Sequence, residues 1–219
     1  MYKIVNNINP HIFRGYDIRG VMDKDLNEDV YYTLGRAYAT FLQQRRIQEA
    51  VVGHDNRNNC VEYSKAYMAG LNDGGIDTIF IGYSLSQIVY FSSYAFLTKG
   101  STMITASHNP ADYNGLKIGV GYSDTMITEE IQQIRKLVEV GKFYEAEKKG
   151  SSRDYDLFPE YKKDLLKYFK LQRKWKVVVE ACNTVSGMFY PDIFRSAGCE
   201  VIEQNTELDG NFPLGAPDP

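Results

Sequence analysis

Apolar residues recur along this chain at two alternating periods. After Asn27, suited to cap a helix, Glu28 and Asp29 fill a first turn. Val30, Leu34, Ala37, Tyr38, Phe41 and Leu42 then follow at helical spacing. Ala50 to Gly53 predicts a short strand ending in His54-Asp55. Helical spacing returns over 61–73, with Tyr63, Ala66, Tyr67, Gly70 and Leu71 on one side and Gly74-Gly75 as the stop. A strand from Ile76 to Gly82, a helix from Leu85 to Leu97 capped by Ser84, a strand from Thr102 to Ala106 and a β-rich run from Gly115 to Val120 follow. This alternation predicts an α/β fold, a mainly parallel sheet with helices on both faces. Ligands in such folds bind beyond the carboxyl ends of the strands, where Ser107 and the turn His54-Asp55-Asn56-Arg57 fall.

Past Val120, Thr128 is placed to cap a helix over 129–140. The stretch GKFYEAEKKGSSRDYD is polar and aperiodic, so roughly 141–155 reads as a boundary between domains 1–145 and 146–219. Beyond it the pattern predicts a helix over 157–170, a strand from Lys176 to Ala181, a helix over 187–197 and a strand from Cys199 to Gln204. Two strands and two helices are too few for a well-buried α/β domain, so the second unit reads as incomplete. The edges and apolar surface this leaves would favour self-association.

Composition narrows the function classes. With 219 residues, 43% of them hydrophobic, the chain can bury a sizeable core, and a net charge of -3 gives no basic face for nucleic acid. No apolar run reaches membrane-spanning length, and MYKIVNNINPHIF lacks a signal-peptide core. No membrane partner is therefore expected. Cys60, Cys182 and Cys199 have no metal-type spacing and read as reduced thiols in a cytoplasmic protein. The 17 tyrosines suggest no function by themselves.

The chemistry centres on TMITASHNPADYNGLKI, residues 102–118. A serine nucleophile needs a base within hydrogen-bond reach. His108 is adjacent, but neighbouring side chains of an extended segment point apart, and G-x-S-x-G is absent, so a hydrolase dyad is not expected. Ser107 reads instead as a group displayed on a tight loop shaped by Asn109 and Pro110. Lys117 lies in the returning strand, and Arg14, Arg19 and Arg57 are further cations in loop-like contexts. Several cations around one serine suit a phosphoryl group better than an acyl group. Taken singly, Ser107 is an ordinary turn serine, His108 a surface histidine, Lys117 an exposed strand lysine and Arg19 an ion-pair partner. GVGYSD lacks the third glycine and following helix of a nucleotide loop, and His54-Asp55 alone makes no metal site.

Four motifs in order change that balance. TASHNP with YNGLKI resembles the active-site serine loop of the α-D-phosphohexomutases, the phosphomannomutase/phosphoglucomutase family. IFRGYDIRG at 12–20, GHDNR at 53–57 and DGNFPLGAPDP at 209–219 resemble its other signatures. The resemblance implies α/β domains with mixed rather than purely parallel sheets. It implies that Ser107 is phosphorylated and exchanges its phosphoryl group with a hexose phosphate of mannose or glucose, through a hexose 1,6-bisphosphate that also serves as activator. Mg²⁺ would be met through the phosphate on Ser107. Lys117 and Arg19 would flank the phosphoryl group, with His108 a close neighbour, and Tyr16 and Asn109 would help bind the sugar. The sequence departs from the family pattern at His54, at NNC (58–60) and at LSQ (85–87). A DGDGD-type metal loop does not occur, so the 219 residues are expected to be the N-terminal part of a mutase, inactive alone. The alternative is a non-catalytic protein of the same fold that binds a sugar phosphate or a partner chain.

Overall fold

Asn27 opens the first long helix as its sequence implies. Its side chain accepts a hydrogen bond from Val30 N at 3.0 Å, and α1 runs Glu28–Gln43 with its Val30, Leu34, Ala37, Tyr38 and Phe41 side buried. A computed structural model describes residues 1–218. After a 3-10 turn at Pro10–Ile12 come β1 (Ile18–Val21), α1, β2 (Glu49–His54), α2 (Cys60–Asp73), β3 (Asp77–Tyr83), α3 (Ser86–Ala95), β4 (Gly100–Ile104), β5 (Tyr113–Gly119) and α4 (Thr128–Val140). β6 (Ser152–Asp154), α5 (Phe158–Leu166), β7 (Lys176–Glu180), α6 (Ser186–Ser196) and β8 (Glu200–Gln204) complete the order.

Six strands form one sheet in the order β1-β5-β4-β2-β3-β6. The β2, β3, β4 and β6 pairings are parallel, whereas β5 is antiparallel to both β4 and β1. The sheet is therefore mixed, as the family resemblance implies. The reason is local: only residues 105–112 join β4 to β5, too few for the crossover a parallel pair requires. The serine loop is that short return. Alternate residues of β2 feed the two faces. Ala50 and Val52 face the core under α1, α2 and α4, while Val51 faces the core under α3, which Phe189 and Ile193 of α6 also join. β7 and β8 make a separate two-stranded parallel sheet, with Val178 and Ile202 about half exposed.

Four local expectations are corrected. Ser84 does not cap α3; its hydroxyl donates to Leu85 O, and Leu85 is the cap residue. Thr128 is the first residue of α4 rather than its cap, and its hydroxyl ties Gly15 O at 2.8 Å. The stretch over 141–155 contains β6, which extends the first sheet at β3. The segment holding IFRGYDIRG is not simply loop, because β1 pairs with β5.

The tyrosines acquire a structural role. Tyr31, Tyr38 and Tyr67 are fully buried, and each hydroxyl is bonded: to Asn114 Oδ1 at 3.1 Å, Gly119 O at 2.5 Å and Thr102 Oγ1 at 3.0 Å. They fill the layer between α1, α2 and the β4–β5 pair while satisfying their polar ends. α1 and α2 approach backbone to backbone at Gly35 and Gly70. A Cβ on Gly70 would lie 2.2 Å from Tyr32 O, and one on Gly35 2.2 Å from Tyr67 O. Gly70→Ala is therefore expected to lower stability by about 1–3 kcal/mol despite the better helix propensity of alanine. A urea unfolding midpoint equal to the wild type would contradict this packing. Among the described residues no helix is long and apolar enough to cross a membrane.

Candidate active site

Ser107 stands exposed at the tip of the β4–β5 return with a left-handed backbone, φ 57°. That conformation corrects the expectation that Ser107 and His108 point apart. The segment is not extended, and Ser107 Oγ lies 3.3 Å from His108 Nδ1. Both residues are exposed, and among the described residues the His108 ring has no further hydrogen-bond partner to orient it as a hydrolase base.

Arg57 dictates the loop's shape. Its side chain is buried, and its two terminal nitrogens donate to four carbonyl oxygens of the return: Ser107 (2.9 Å), Asn109 (2.6 Å), Pro110 (2.6 Å) and Tyr113 (3.1 Å). A rigid planar guanidinium is suited to such a fan of acceptors. Burial presses its pKa below the ordinary arginine value, while the carboxylate of Asp55, 3.4 Å from Nε, opposes the shift. Asp55 Oδ1 also accepts from Arg57 N at 2.9 Å and from the Cys60 thiol at 3.2 Å. Asn114 Nδ2 donates to that sulfur at 3.3 Å, and Tyr31 donates to Asn114 Oδ1, so a buried polar chain runs from the tyrosine layer to the loop. Burial raises the Cys60 pKa, and its role here is that of a neutral thiol donor.

Arg19 is a buried strand residue of β1 rather than a loop cation. It pairs with Asp17 (Nη2 to Oδ2 2.6 Å, Nε to Oδ2 2.8 Å) and donates from Nη1 to Asn109 Oδ1 at 2.7 Å. Lys117 lies half-buried on β5 opposite Met103 of β4, with no carboxylate within ion-pair distance among the described residues. A cleft of about 430 Å³ at these strand ends is lined by Ser107, Lys117, Thr105, Asn56, Thr184, Phe212 and neighbours. It thus brings Ser107 and Lys117 together. Tyr16 is 58% exposed and Arg14 is exposed; neither lines this cleft. A larger cavity of about 580 Å³ lies between β3, residues 154–158 and α6, but none of its lining side chains is cationic or part of the serine loop. The cleft at Ser107 is therefore the candidate site. Among the described residues no three His, Cys, Asp or Glu side chains converge to hold a metal ion.

Residues 10–145 match the model of phosphoglucomutase/phosphomannomutase alpha/beta/alpha domain I, and residues 159–219 match that of alpha/beta/alpha domain II. The chain belongs to the phosphoglucomutase/phosphomannomutase family. Among the relatives it resembles, a phosphoglucomutase of Neisseria gonorrhoeae is 36% identical over 213 residues, 97% of this chain and 46% of the relative. A phosphomannomutase/phosphoglucomutase of Pseudomonas aeruginosa is 36% identical over 208 residues, 95% of this chain and 44% of the relative. A crystal structure of a phosphoglucomutase/phosphomannomutase family protein from Burkholderia thailandensis superposes with TM-score 0.90 at 32% identity, covering 96% of this chain and 47% of that one. The chain spans about half the length of the curated relatives it matches.

The sequence marks the serine loop and Lys117 as candidates but gives no sign of the Arg57 clamp or the Asp17 anchor. The turn at 53–57 marks the place without revealing the bonds, because the acceptors of Arg57 are backbone carbonyls. His54 is not a surface group. It is buried, stacks on Phe80 at 5.6 Å and donates from Nδ1 to Asp55 O at 2.6 Å. Burial lowers its pKa from the ordinary 6.5. Below that pH the unfolded chain binds a proton that the folded chain refuses. Stability is thus full above the unfolded value and falls as pH drops through it, levelling off below the depressed folded value. His54→Gln should flatten stability against pH in that window in urea titrations; an unchanged profile would show that His54 does not contribute.

Proposed function

We propose that these residues form the phosphoserine side of a phosphohexomutase site that interconverts hexose 1-phosphate and hexose 6-phosphate. The observation that carries this reading is the pairing of Ser107, on a loop fixed by Arg57, with Lys117, a cation that has no carboxylate partner among the described residues, in one cleft at the strand ends. A loop held at four carbonyls keeps Oγ in place without reorganisation, as phosphoryl transfer by positioning requires. Ser107 Oγ attacks phosphorus of a hexose 1,6-bisphosphate, the P–O bond to the sugar breaks, the serine proton leaves and the sugar oxygen regains one. In the other step a hydroxyl of a hexose monophosphate attacks phosphorus of phosphoserine, the bond from phosphorus to Ser107 Oγ breaks, the hydroxyl proton leaves and Oγ regains one; the bisphosphate so formed turns around before its other phosphoryl group returns to the serine. Lys117 offsets charge on the transferring oxygens, and Arg19, locked by Asp17, holds the Asn109 side of the loop. The 3.3 Å approach of His108 Nδ1 to Ser107 Oγ supports a role for His108 in exchanging the serine proton. Tyr16 and Asn109 are proposed sugar contacts, although the Asn109 amide oxygen already accepts from Arg19.

The relatives' names point to glucose or mannose phosphates. The described residues alone do not make a Mg²⁺ site. Their contribution to one would be the phosphoryl oxygens on Ser107, and Mg²⁺ there would supply further charge stabilisation. Because the relatives are about twice as long, the 219 residues alone are expected to show stoichiometric phosphoryl uptake over hours but no detectable isomerisation. Incubation with labelled glucose 1,6-bisphosphate and Mg²⁺, followed by peptide mass spectrometry, tests this. One phosphoryl group on Ser107, absent in Ser107→Ala, is the expected result. Label on other residues only, or none, would refute the assignment.

A further inference from the structure

The turn that clamps the serine loop is itself held from the second unit. Asn56 Nδ2 donates to Asn183 O at 2.8 Å, and its Oδ1 accepts from Val185 N at 2.8 Å. Asn58 Nδ2 donates to Asn211 Oδ1 at 2.9 Å. Between these bridges Phe212 sets its ring over Arg57, with Cζ 5.0 Å from the ring centroid, and is itself buried. The approach is close, since a Cβ on Gly210 would come within 2.6 Å of Asn56 O. Phe212 adopts a left-handed φ of 49°, a costly conformation for a bulky residue that persists where the surroundings enforce it. Its turn is closed by Phe212 N to Asp209 O at 3.1 Å and Gly215 N to Phe212 O at 2.9 Å. Arg57 thus serves four loop carbonyls on one side while an aromatic face of the second unit covers it on another.

We infer that Phe212 is a positioning residue for Ser107: its ring keeps water from the Arg57 guanidinium, and so keeps the carbonyls of the 107–113 loop on their donors. The physical basis is competition. Each Arg57 N–H exposed to water can trade a carbonyl for a water molecule, whereas a ring face attracts the cation without offering it an acceptor. The bridges at Asn56 and Asn58 fix the ring's seat, so displacement of the second unit relaxes the serine loop. The importance of that order for phosphoryl transfer rests on the proposed function; the coupling itself does not.

Amide hydrogen exchange of the 219-residue chain, read by mass spectrometry on peptides covering 105–114 and 31–42, tests the coupling. The informative amides are those of Asn109 and Tyr113, bonded to Ala106 O and Pro110 O. Phe212→Leu should raise exchange over 105–114 about threefold to tenfold with 31–42 unchanged, and Phe212→Tyr, which keeps the ring face, should retain wild-type protection. Equal loop protection in the Leu variant while 209–215 loosens would overturn the inference, as would equal loss in the Tyr and Leu variants. Should the Phe212 variants unfold the second unit, seen as uniform exchange over β7 and β8, Asn56→Ala provides the second test. It removes two bridges and leaves Phe212 and Arg57 intact; the loop must again exchange faster, and unchanged protection overturns the inference. If the wild type takes up no phosphoryl group, the exchange contrast still decides the coupling, and only the proposed function falls.

Discussion

Arg57→Met should slow phosphoryl uptake at Ser107 by about a hundredfold or more and destabilise the chain by about 3 kcal/mol. The two effects have different sources. The buried Arg57 partly neutralises Asp55, whose carboxylate would keep only backbone and thiol donors after the change. Breaking one side of a buried pair is costly for this reason. The four carbonyls of the return lie nearer solvent, so water can replace their lost donors; what disappears is the fixed path of the loop rather than its hydrogen bonding. A misplacement of about 1 Å at a reacting atom is enough for a hundredfold loss. Arg57→Lys should recover part of the stability but little of the rate, because an ammonium group lacks the planar fork that reaches all four acceptors. Uptake kinetics by quenched-flow or hand sampling, with unfolding curves for both variants, check this. Wild-type uptake in Arg57→Met would show that the clamp does not position the serine.

Lys117→Ala should produce the opposite split. Lys117 has no carboxylate partner among the described residues, so its loss leaves no buried charge unpaired and the unfolding curve should barely move. Removing a charge aimed at a transferring group commonly costs about 2.7–4 kcal/mol in the transition state, so uptake should slow by about 10²–10³-fold. Arg19→Ala should instead lose both, because Asp17 and Arg19 are both buried and the change strands the carboxylate. The pair of variants therefore tests whether Lys117 acts on the phosphoryl group without holding the fold, in contrast to Arg19. Normal uptake in Lys117→Ala would remove this lysine from the site.

What could be read from sequence, and what could not, follows from the range of the interactions. α1 was legible because its cap, its acidic first turn and its apolar stripe are all local. β6 was not, because Ser152–Asp154 is short, polar and exposed, and becomes a strand only by pairing with the edge of β3. β1 was missed because its four residues are defined by antiparallel pairing with β5, nearly a hundred positions away. Ser84 and Thr128 have the chemistry of caps, but their hydroxyls bond to Leu85 O and Gly15 O instead. At the site, Ser107 and Lys117 were legible as a motif, whereas the left-handed turn at Ser107 that brings His108 Nδ1 near Oγ was not. Arg19 looked like a loop cation until its pairing with Asp17 placed it in a buried strand.

The central claim is that phosphoserine 107 is an intermediate rather than a terminal modification, and a chase experiment tests it most directly. The chain is labelled at Ser107, freed of bisphosphate and mixed with unlabelled glucose 1-phosphate and Mg²⁺. The account predicts that label leaves the serine and reappears in a hexose bisphosphate, at a rate that Lys117→Ala slows. Label that stays on Ser107, or leaves only as inorganic phosphate at a rate indifferent to sugar phosphate, would contradict it.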